Sequence, residues 1–304
     1  MNVIEELVGL GGDRVEEHAP LGARTTYRVG GTAELSVTLS SIEDVEELSG
    51  LMMATGLVWV IVGNGSNLLV EEGEHRVLAI HLDGAFTDLS WRDEGDDVLV
   101  VAGGGLDLPI AARRLASAGI VNFEWAVGVP GTFGGAVAMN AGGHGSDMAA
   151  TLEEVTLWRD GAPETWSKDR LGLGYRTSAV LRGDLVLSAT LRLGRGDAAE
   201  AQDRVREIVR WRREHQPGGA NGGSVFTNPP GAHAARLIEV AGCKGLRHGS
   251  AQVSEKHANF IQADALGSAN DVYELMNIVR ERVEASSGVA LVSEHRFVGF
   301  GVTP

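Results

Sequence analysis

Two glycine-rich segments limit the folds that are open to this chain. The first, GNGSN at residues 63–67, directly follows a β-branched apolar run at residues 58–62 that is typical of a buried strand. The second, at residues 128–145, begins GVPGTFGGA and carries too few bulky side chains to pack a core of its own. Glycine lets backbone amides approach an anion closely, so two such loops favour a large phosphate-bearing ligand.

Each loop also has a plain structural interpretation. GNG is a common turn, and the second segment could be a pair of turns followed by the start of a helix. The first loop does not match the dinucleotide-binding pattern, because Leu68 stands where a third glycine is required. The sequence contains neither GKS nor GKT, which excludes a P-loop of the Walker type.

Composition excludes several classes of function. A net charge of −15 disfavours broad nucleic-acid binding, although a few local cations could still hold a small anion. The single cysteine, Cys243, excludes an internal disulfide and a cysteine-based metal site, and we expect no metal. The acidic N-terminus does not resemble a signal peptide, and no apolar stretch is long enough to span a bilayer. We therefore expect a cytoplasmic protein without a nucleic-acid, membrane or obligate protein partner.

Short strands alternate with helices along the chain, which predicts a mixed α/β or α+β protein with two or three folding units. Helical spacing over residues 199–214 is followed by a flexible break, QPGGANGG, at residues 216–223. A second helix is predicted to begin at Ser268, with Asp271 completing a capping box. A final strand is predicted near residues 290–302.

A series of short motifs then runs in one order from about residue 20 onward. The motifs are YRVGG (27–31), VGNGSNLLV (62–70), GVPGTFGGAVAMNAG (128–142), YRTS (175–178), QP (216–217), GSVFTNP (223–229), VSEKHANF (253–260) and SEHRF (293–297). Together they closely resemble the UDP-N-acetylenolpyruvoylglucosamine reductase family, although none of them would be decisive alone.

The resemblance implies the FAD-binding fold typified by p-cresol methylhydroxylase and vanillyl-alcohol oxidase. In that fold two small subdomains hold the cofactor, and here a C-terminal α+β domain would bind the substrate. We expect a first FAD-binding subdomain at residues 1–70, which residues 296–304 could complete, and a second at residues 71–196. The substrate-binding domain would cover residues 197–295.

The resemblance also implies non-covalent FAD and NADPH as co-substrate, with the glycine loops holding the FAD pyrophosphate. The cofactor-binding residues expected from the matched motifs are Arg28, Gly63, Asn64, Gly65, Ser66, Asn67, Gly128, Val129, Pro130, Gly131, Thr132, Gly134 and Gly135.

The implied reaction reduces UDP-N-acetylglucosamine enolpyruvate to UDP-N-acetylmuramate in peptidoglycan precursor synthesis. A hydride reaches the vinyl carbon, and negative charge spreads from the neighbouring carbon into the carboxylate. Arg176 matches the residue that could bind this carboxylate through two N–H groups. Ser224 matches the family's proton donor, and Glu294 could donate a hydrogen bond to the enolate if an apolar pocket keeps it protonated.

Four further residues are weaker candidates for substrate binding: Tyr175, Arg213, Asn228 and Lys256. A structural or solvated role is an equal alternative for the last three of them. Two positions depart from the family pattern. Thr227 replaces a common lysine, and His295 replaces the small apolar residue that usually follows the matching glutamate.

Two other functions remain open at this point. A related FAD-dependent oxidase or dehydrogenase would share the glycine loops, because a fold does not fix a function. Such an enzyme would have no use for a serine proton donor, so Ser224, Arg176 and Glu294 argue against it. A catalytically idle flavin-binding protein is disfavoured because all three of these positions are retained.

Overall fold

The computed structural model describes residues 2–301, and within that range it contains nine α-helices and eighteen strands. The helices are α1 (Val3–Gly11), α2 (Ile42–Ala54), α3 (Leu108–Ser117), α4 (Phe133–Ala138), α5 (Met148–Thr151), α6 (Lys168–Leu171), α7 (Ala198–His215), α8 (Ala234–Val240) and α9 (Ala269–Ser287). This mixture of helices and strands confirms the predicted α+β class.

The strands are mostly short. They are β1 (Val15–Ala19), β2 (Thr32–Leu39), β3 (Val58–Ile61), β4 (Leu68–Val70), β5 (Glu74–Leu82), β6 (Leu89–Glu94), β7 (Asp97–Gly103), β8 (Ile120–Val121), β9 (Gly142–Gly143), β10 (Ser146–Asp147), β11 (Leu152–Arg159), β12 (Ala162–Ser167), β13 (Leu185–Arg195), β14 (Ala220–Asn221), β15 (Arg247–His248), β16 (Ala251–Val253), β17 (Ile261–Ala263) and β18 (Arg296–Val298).

The chain divides into two compact units, each built from separated stretches of sequence. The first unit comprises the residues up to Glu17 together with Leu35–Asn64 and Val77–Arg212. The second comprises His18–Glu34, Gly65–Arg76 and the residues from Arg213 onward. The three-part division at residues 70, 196 and 295 stays a prediction.

An antiparallel sheet with the strand order β12-β11-β13-β7-β6 forms the centre of the first unit. Its apolar face packs against α3 and α4 through such residues as Leu115, Phe133 and Leu191. Because α4 directly follows the second glycine loop, this packing fixes the loop to the core.

A four-stranded sheet with the order β1-β2-β5-β3 carries the first glycine loop. Strand β3 pairs in parallel with β5 and ends at Ile61, as the apolar run at residues 58–62 predicts. Helix α2 begins at a capping box formed by Ser41 and Asp44, and its buried Val45 joins the core beneath the sheet.

In the second unit, α9 packs against the sheet β14-β17-β16-β15 and buries a stripe of apolar residues at the helical spacing that the sequence predicts, among them Val272, Leu275 and Val279. Ser268 caps this helix as predicted, but the capping box with Asp271 is wrong. The Asp271 carboxylate instead accepts hydrogen bonds from the amide and the hydroxyl of Ser250, at 2.7 and 2.6 Å. The carboxylate of Glu72 receives the first amides of the helix, those of Ala269 and Asn270. Ser268 therefore keeps its local cap, and a distant group, Ser250, takes the place of the reciprocal contact with Asp271.

The predicted final strand is shorter than expected. Strand β18 covers Arg296–Val298, where it pairs in parallel with β4. Ser293 instead pairs with Phe226 in an isolated antiparallel bridge, so the chain before Arg296 has a different partner from β18. Positive φ angles of +83° at Gly299 and +67° at Gly301 end the strand, and residues 302–304 lie outside the described part of the chain.

Among the helices of residues 2–301, none combines the length and apolar character that a bilayer crossing requires.

Candidate active site

Residues of the two glycine loops meet in the first unit. Gly63 follows β3, and a β-carbon at this position would lie 2.5 Å from Oγ1 of Thr132. Asn64 donates from Nδ2 to Oδ1 of Asp107 at 2.5 Å, just before α3 begins. The amide of Leu108 donates to the carbonyl of Gly131 at 3.0 Å. The loops and the start of α3 therefore form one continuous backbone surface.

This surface has the donors that a pyrophosphate requires. Within residues 2–301, the backbone amides of Gly63, Asn64, Gly131 and Thr132 donate no hydrogen bond to another residue. Gly131 has a φ of +147°, a conformation that favours glycine and turns the backbone at this point. Backbone amides of this kind bind phosphate oxygens without a competing side chain, so the residues fit the predicted FAD.

The rest of the second loop is held between core elements. Gly128 ends a short 3₁₀ helix, and a β-carbon there would lie 2.9 Å from the imidazole of His144. The amide of Gly134, in the first turn of α4, donates to the carbonyl of Gly104 at 2.8 Å. Three other predicted cofactor residues lie on the same segment, namely Val129, Pro130 and Gly135.

Arg176 stands at the tip of a two-residue turn in the first unit. Gly174 and Thr177 exchange two backbone hydrogen bonds, of 3.0 and 3.3 Å, which close the turn beneath Tyr175 and Arg176. Arg176 has a φ of +58°, an uncommon conformation for a residue with a side chain. Its guanidinium carbon lies 5.9 Å from the ring centroid of Tyr175, whose side chain is 60% exposed. The structure thus brings these two predicted residues together.

A buried amide that the sequence did not single out holds this turn. Asn140 is only 6% exposed and donates from Nδ2 to the carbonyl of Gly174 at 2.9 Å. Its Oδ1 accepts the amide of Ala149 at 3.0 Å, so both ends of the side chain are engaged. Ser178 adds a hydrogen bond from Oγ to the carbonyl of Ala138 at 2.9 Å. The Arg176 turn is therefore anchored to the end of α4.

The backbone segments that carry Ser224 and Glu294 are hydrogen-bonded to each other in the second unit. The amide of Glu294 donates to the carbonyl of Val225 at 2.8 Å, which places Glu294 next to the Val225–Phe226 peptide. Asn67 donates from Nδ2 to the carbonyl of Glu294 at 2.9 Å, and its own carbonyl accepts the amide of Arg296. One predicted cofactor residue and two predicted catalytic residues therefore share a single hydrogen-bonded segment.

Asn259 makes this segment rigid, and it too was missed as a site residue. Its side chain accepts the Phe226 amide at 3.0 Å and donates to the Phe226 carbonyl at 2.8 Å. Its backbone carbonyl accepts the amide of Val225 at 2.9 Å. The side chain is 4% exposed, so these bonds are shielded from water.

A buried pair of rings lies directly behind Glu294. Nε2 of His295 is 2.9 Å from the hydroxyl of Tyr27, and the rings meet edge to face. Burial lowers the pKa of His295 to about 4 and raises the pKa of the Tyr27 phenol. Both side chains are therefore neutral near pH 7. The next residue along from Tyr27, the predicted cofactor residue Arg28, is exposed and has a φ of +59°.

The remaining predicted substrate residues are exposed in the second unit. Lys256 donates from Nζ to the backbone carbonyl of Arg213 at 2.5 Å, so two of these residues lie close together. Asn228 has a structural contact, because its Oδ1 accepts the amide of Ala234 at the start of α8. The hydroxyl of Thr227 donates a hydrogen bond to the carbonyl of Val292 at 3.3 Å.

The chain is similar to known proteins along most of its length. Residues 215–298 match the model of the UDP-N-acetylenolpyruvoylglucosamine reductase C-terminal domain, and residues 33–161 match that of an FAD binding domain. The UDP-N-acetylenolpyruvoylglucosamine reductase of Syntrophotalea carbinolica is 38% identical over 92% of this chain and 93% of its own length. UDP-N-acetylenolpyruvoylglucosamine reductase 2 of Symbiobacterium thermophilum is 40% identical over 94% of this chain and 92% of its own length. The crystal structure of the Thermus caldophilus reductase superposes with a TM-score of 0.81 at 36% identity, covering 94% of this chain and 99% of that one.

Proposed function

Because the chain belongs to the UDP-N-acetylenolpyruvoylglucosamine reductase family, we propose that Arg176, Ser224 and Glu294 act directly on the enolpyruvyl group of its substrate. The enzyme uses NADPH to reduce UDP-N-acetylglucosamine enolpyruvate to UDP-N-acetylmuramate, a precursor of peptidoglycan. The observation that carries the proposed roles is the hydrogen bond from the Glu294 amide to the Val225 carbonyl, because it joins the backbone segment of Glu294 to the segment of Ser224.

FAD supplies the hydride in this reaction when it is bound. The amides of Gly63, Asn64, Gly131 and Thr132 would hold its pyrophosphate, since they form a cluster of donors that no other described residue uses. The other predicted cofactor residues are assigned to the same cofactor.

Arg176 binds the carboxylate of the enolpyruvyl group and stabilises the negative charge that develops on it. A guanidinium suits this task because its parallel N–H groups match the two carboxylate oxygens. The turn supports the role because Asn140 and Ser178 hold its backbone before substrate arrives. A donor that is already in place loses little free energy to reorganisation as charge develops.

Ser224 gives a proton to the carbon next to the carboxylate, after the hydride has reached the vinyl carbon. The two additions convert the carbon–carbon double bond to a single bond and balance the charge. Glu294 donates a hydrogen bond to the enolate and supports the serine, which is a weak acid alone. The rigid pairing of Val225 and Phe226 with Asn259 holds the serine hydroxyl within a narrow range of positions.

Tyr175, Arg213, Asn228 and Lys256 are assigned to the UDP-sugar. The contact of the Lys256 ammonium with the backbone of Arg213 supports this assignment for the diphosphate, since it brings two cationic residues close together in a chain whose net charge is −15. The three-part domain division and a cytoplasmic location complete the proposal. The alternative of a related oxidase or dehydrogenase finds no support in the relatives described above, which carry the reductase name.

An anaerobic absorbance experiment tests this function. NADPH is added to the purified protein to bleach the yellow flavin band, and UDP-N-acetylglucosamine enolpyruvate is then added. Rapid return of the colour supports both half-reactions. Bleaching without return would keep the flavoprotein but assign it another substrate. If no flavin band forms even after FAD is added, the proposed role of the glycine loops is wrong.

A further inference from the structure

The Tyr27–His295 pair contacts the turn before Ser224, and His295 directly follows Glu294 in the chain. His295 is 6% exposed, so its imidazole is enclosed by protein. Within residues 2–301 its Nδ1 has no hydrogen-bond partner, and Nε2 contacts the Tyr27 hydroxyl. The phenol is therefore the side-chain group that fixes the orientation of the ring.

The same two rings lie against the backbone of Gly222, two residues before Ser224. A β-carbon at Gly222 would lie 2.5 Å from Nε2 of His295 and 2.6 Å from Cε2 of Tyr27. Any side chain at Gly222 would displace one ring or the turn, so the backbone at this point follows the surface of the pair. Gly223 continues the turn, with its amide donating to Oδ1 of Asn221 at 3.0 Å.

We propose that Tyr27 and His295 are positioning residues, which hold the Gly222–Ser224 turn against the Glu294 segment and so set the location of the Ser224 hydroxyl. The inference rests on the proposed roles of Ser224 and Glu294. Neither ring is assigned a contact with substrate or cofactor. Both act through the backbone, which they touch at Gly222 and, through the peptide bond, at Glu294.

The pair is electrically neutral, which suits this role. Burial holds the pKa of His295 at about 4 and keeps the phenol protonated, so no charge is placed behind the site at neutral pH. The proton that the substrate receives is thus left to Ser224 and its neighbours. A neutral, buried pair can hold the backbone of the Gly222–Ser224 turn in place without competing for that proton.

Tyr27→Phe is the most direct test because it removes one hydroxyl and keeps the ring that packs on Gly222. Tyr273→Phe is the matched control, since Tyr273 is an aromatic residue of the same unit that packs on Phe297 and Phe300. Hydrogen–deuterium exchange of the peptide covering residues 221–226 is measured in the holoenzyme for both variants. Exchange should become about two- to tenfold faster in Tyr27→Phe, as expected for one lost hydrogen bond, and stay unchanged in the control.

The rates of the two half-reactions provide a second readout, because general destabilisation would slow both of them. In Tyr27→Phe the bleaching of flavin by NADPH should keep its rate. The return of colour with the enolpyruvyl substrate should slow by about tenfold to a hundredfold, because the proton donor is misplaced. His295→Gln retains a hydrogen-bonding group for the phenol, so it should lose less than His295→Ala.

Unchanged exchange at residues 221–226 in Tyr27→Phe would overturn the inference, and so would equal slowing of both half-reactions. Ser224→Ala distinguishes this failure from failure of the proposed function. If Ser224→Ala leaves the second half-reaction unchanged while Tyr27→Phe still loosens the turn, the role of Ser224 is wrong and the positioning contact stands.

Discussion

Gly63 packs so closely against Thr132 that a β-carbon on residue 63 would lie 2.5 Å from the threonine Oγ1. The contact joins the end of one glycine loop to the middle of the other. It also sets the distance between two groups of backbone amides that are free to bind phosphate. The absence of a side chain at this one position is thus a condition for the cofactor surface to form.

Gly63→Ala should therefore weaken FAD binding, since the new methyl group must push the two loops apart. We expect the purified variant to retain less flavin, measured as absorbance near the yellow band relative to protein. Gly50→Ala is the matched control, because Gly50 lies in α2 with open space around its α-carbon. That change should leave the flavin content unaltered, and full flavin retention by Gly63→Ala would contradict the assignment.

Asn140→Asp should disturb the Arg176 turn. A carboxylate oxygen would replace the Nδ2 donor 2.9 Å from the Gly174 carbonyl and 3.3 Å from the Asp147 carboxylate, where it would be repelled. We expect a loss of roughly 1–3 kcal/mol in the free energy of unfolding, and a fall of about tenfold to a hundredfold in kcat/KM for the enolpyruvyl substrate. Asn122→Asp changes an exposed asparagine that also has a positive φ, and its kinetics should match the wild type.

Arg176→Ala should lower kcat/KM for the enolpyruvyl substrate by about a hundredfold to a thousandfold, because a preorganised charge-stabilising donor is lost. FAD should remain bound, which the flavin spectrum reports. Arg113→Ala removes an exposed arginine of α3 and should have no such effect. Unchanged turnover would remove Arg176 from the mechanism.

Ser224→Ala should slow the return of flavin colour by about a hundredfold to ten-thousandfold, the usual contribution of a positioned proton donor. Reduction by NADPH should proceed normally in the same sample, as stopped-flow absorbance would show. Ser224→Cys keeps an acidic hydrogen and should recover part of the rate. Ser90→Ala, at an exposed position of β6, is a control for serine loss.

His295 should make the protein less stable as the pH falls from about 6.5 toward 4. A free imidazole takes up a proton near pH 6.5, whereas burial lowers the pKa of His295 to about 4. Between these values the unfolded chain binds a proton that the folded chain does not. The free energy of unfolding should therefore decrease by up to about 1.4 kcal/mol per pH unit of acidification.

His295→Gln lacks this contribution, so its stability deficit relative to the wild type should narrow on acidification. Urea unfolding midpoints at pH 7, 6 and 5 measure the difference. His233→Gln replaces an exposed histidine and should keep the wild-type profile. A constant gap between His295→Gln and the wild type would show that the imidazole already titrates normally in the folded protein.

Local patterns predicted much of this fold. The apolar run before Gly63 and the buried stripe of α9 follow from spacing alone, because each repeats with the period of its element. The Ser268 cap was also predictable, since it uses amides within three residues. The contact of Asp271 could not be predicted. Its carboxylate accepts from the amide and the hydroxyl of Ser250, which lies 21 residues away in the connection between β15 and β16.

The supporting residues of the site could not be predicted for the same reason. Asn140 and Asn259 are buried amides whose roles depend on carbonyls that lie 34 and 33 residues away in the sequence. Tyr27 and His295 are separated by 268 residues. A motif can suggest which residues contact a ligand, but the groups that hold those residues are chosen by tertiary structure.

The parallel pairing of β4 with β18 has a consequence for the newly made chain. Leu68, Leu69 and Val70 leave the ribosome long before the strand at Arg296–Val298 that covers their backbone edge. At the usual speed of translation this interval lasts on the order of tens of seconds. Throughout it, an apolar strand with an unpaired edge is exposed to other nascent chains, and a chaperone that shields such edges would raise the yield of active enzyme.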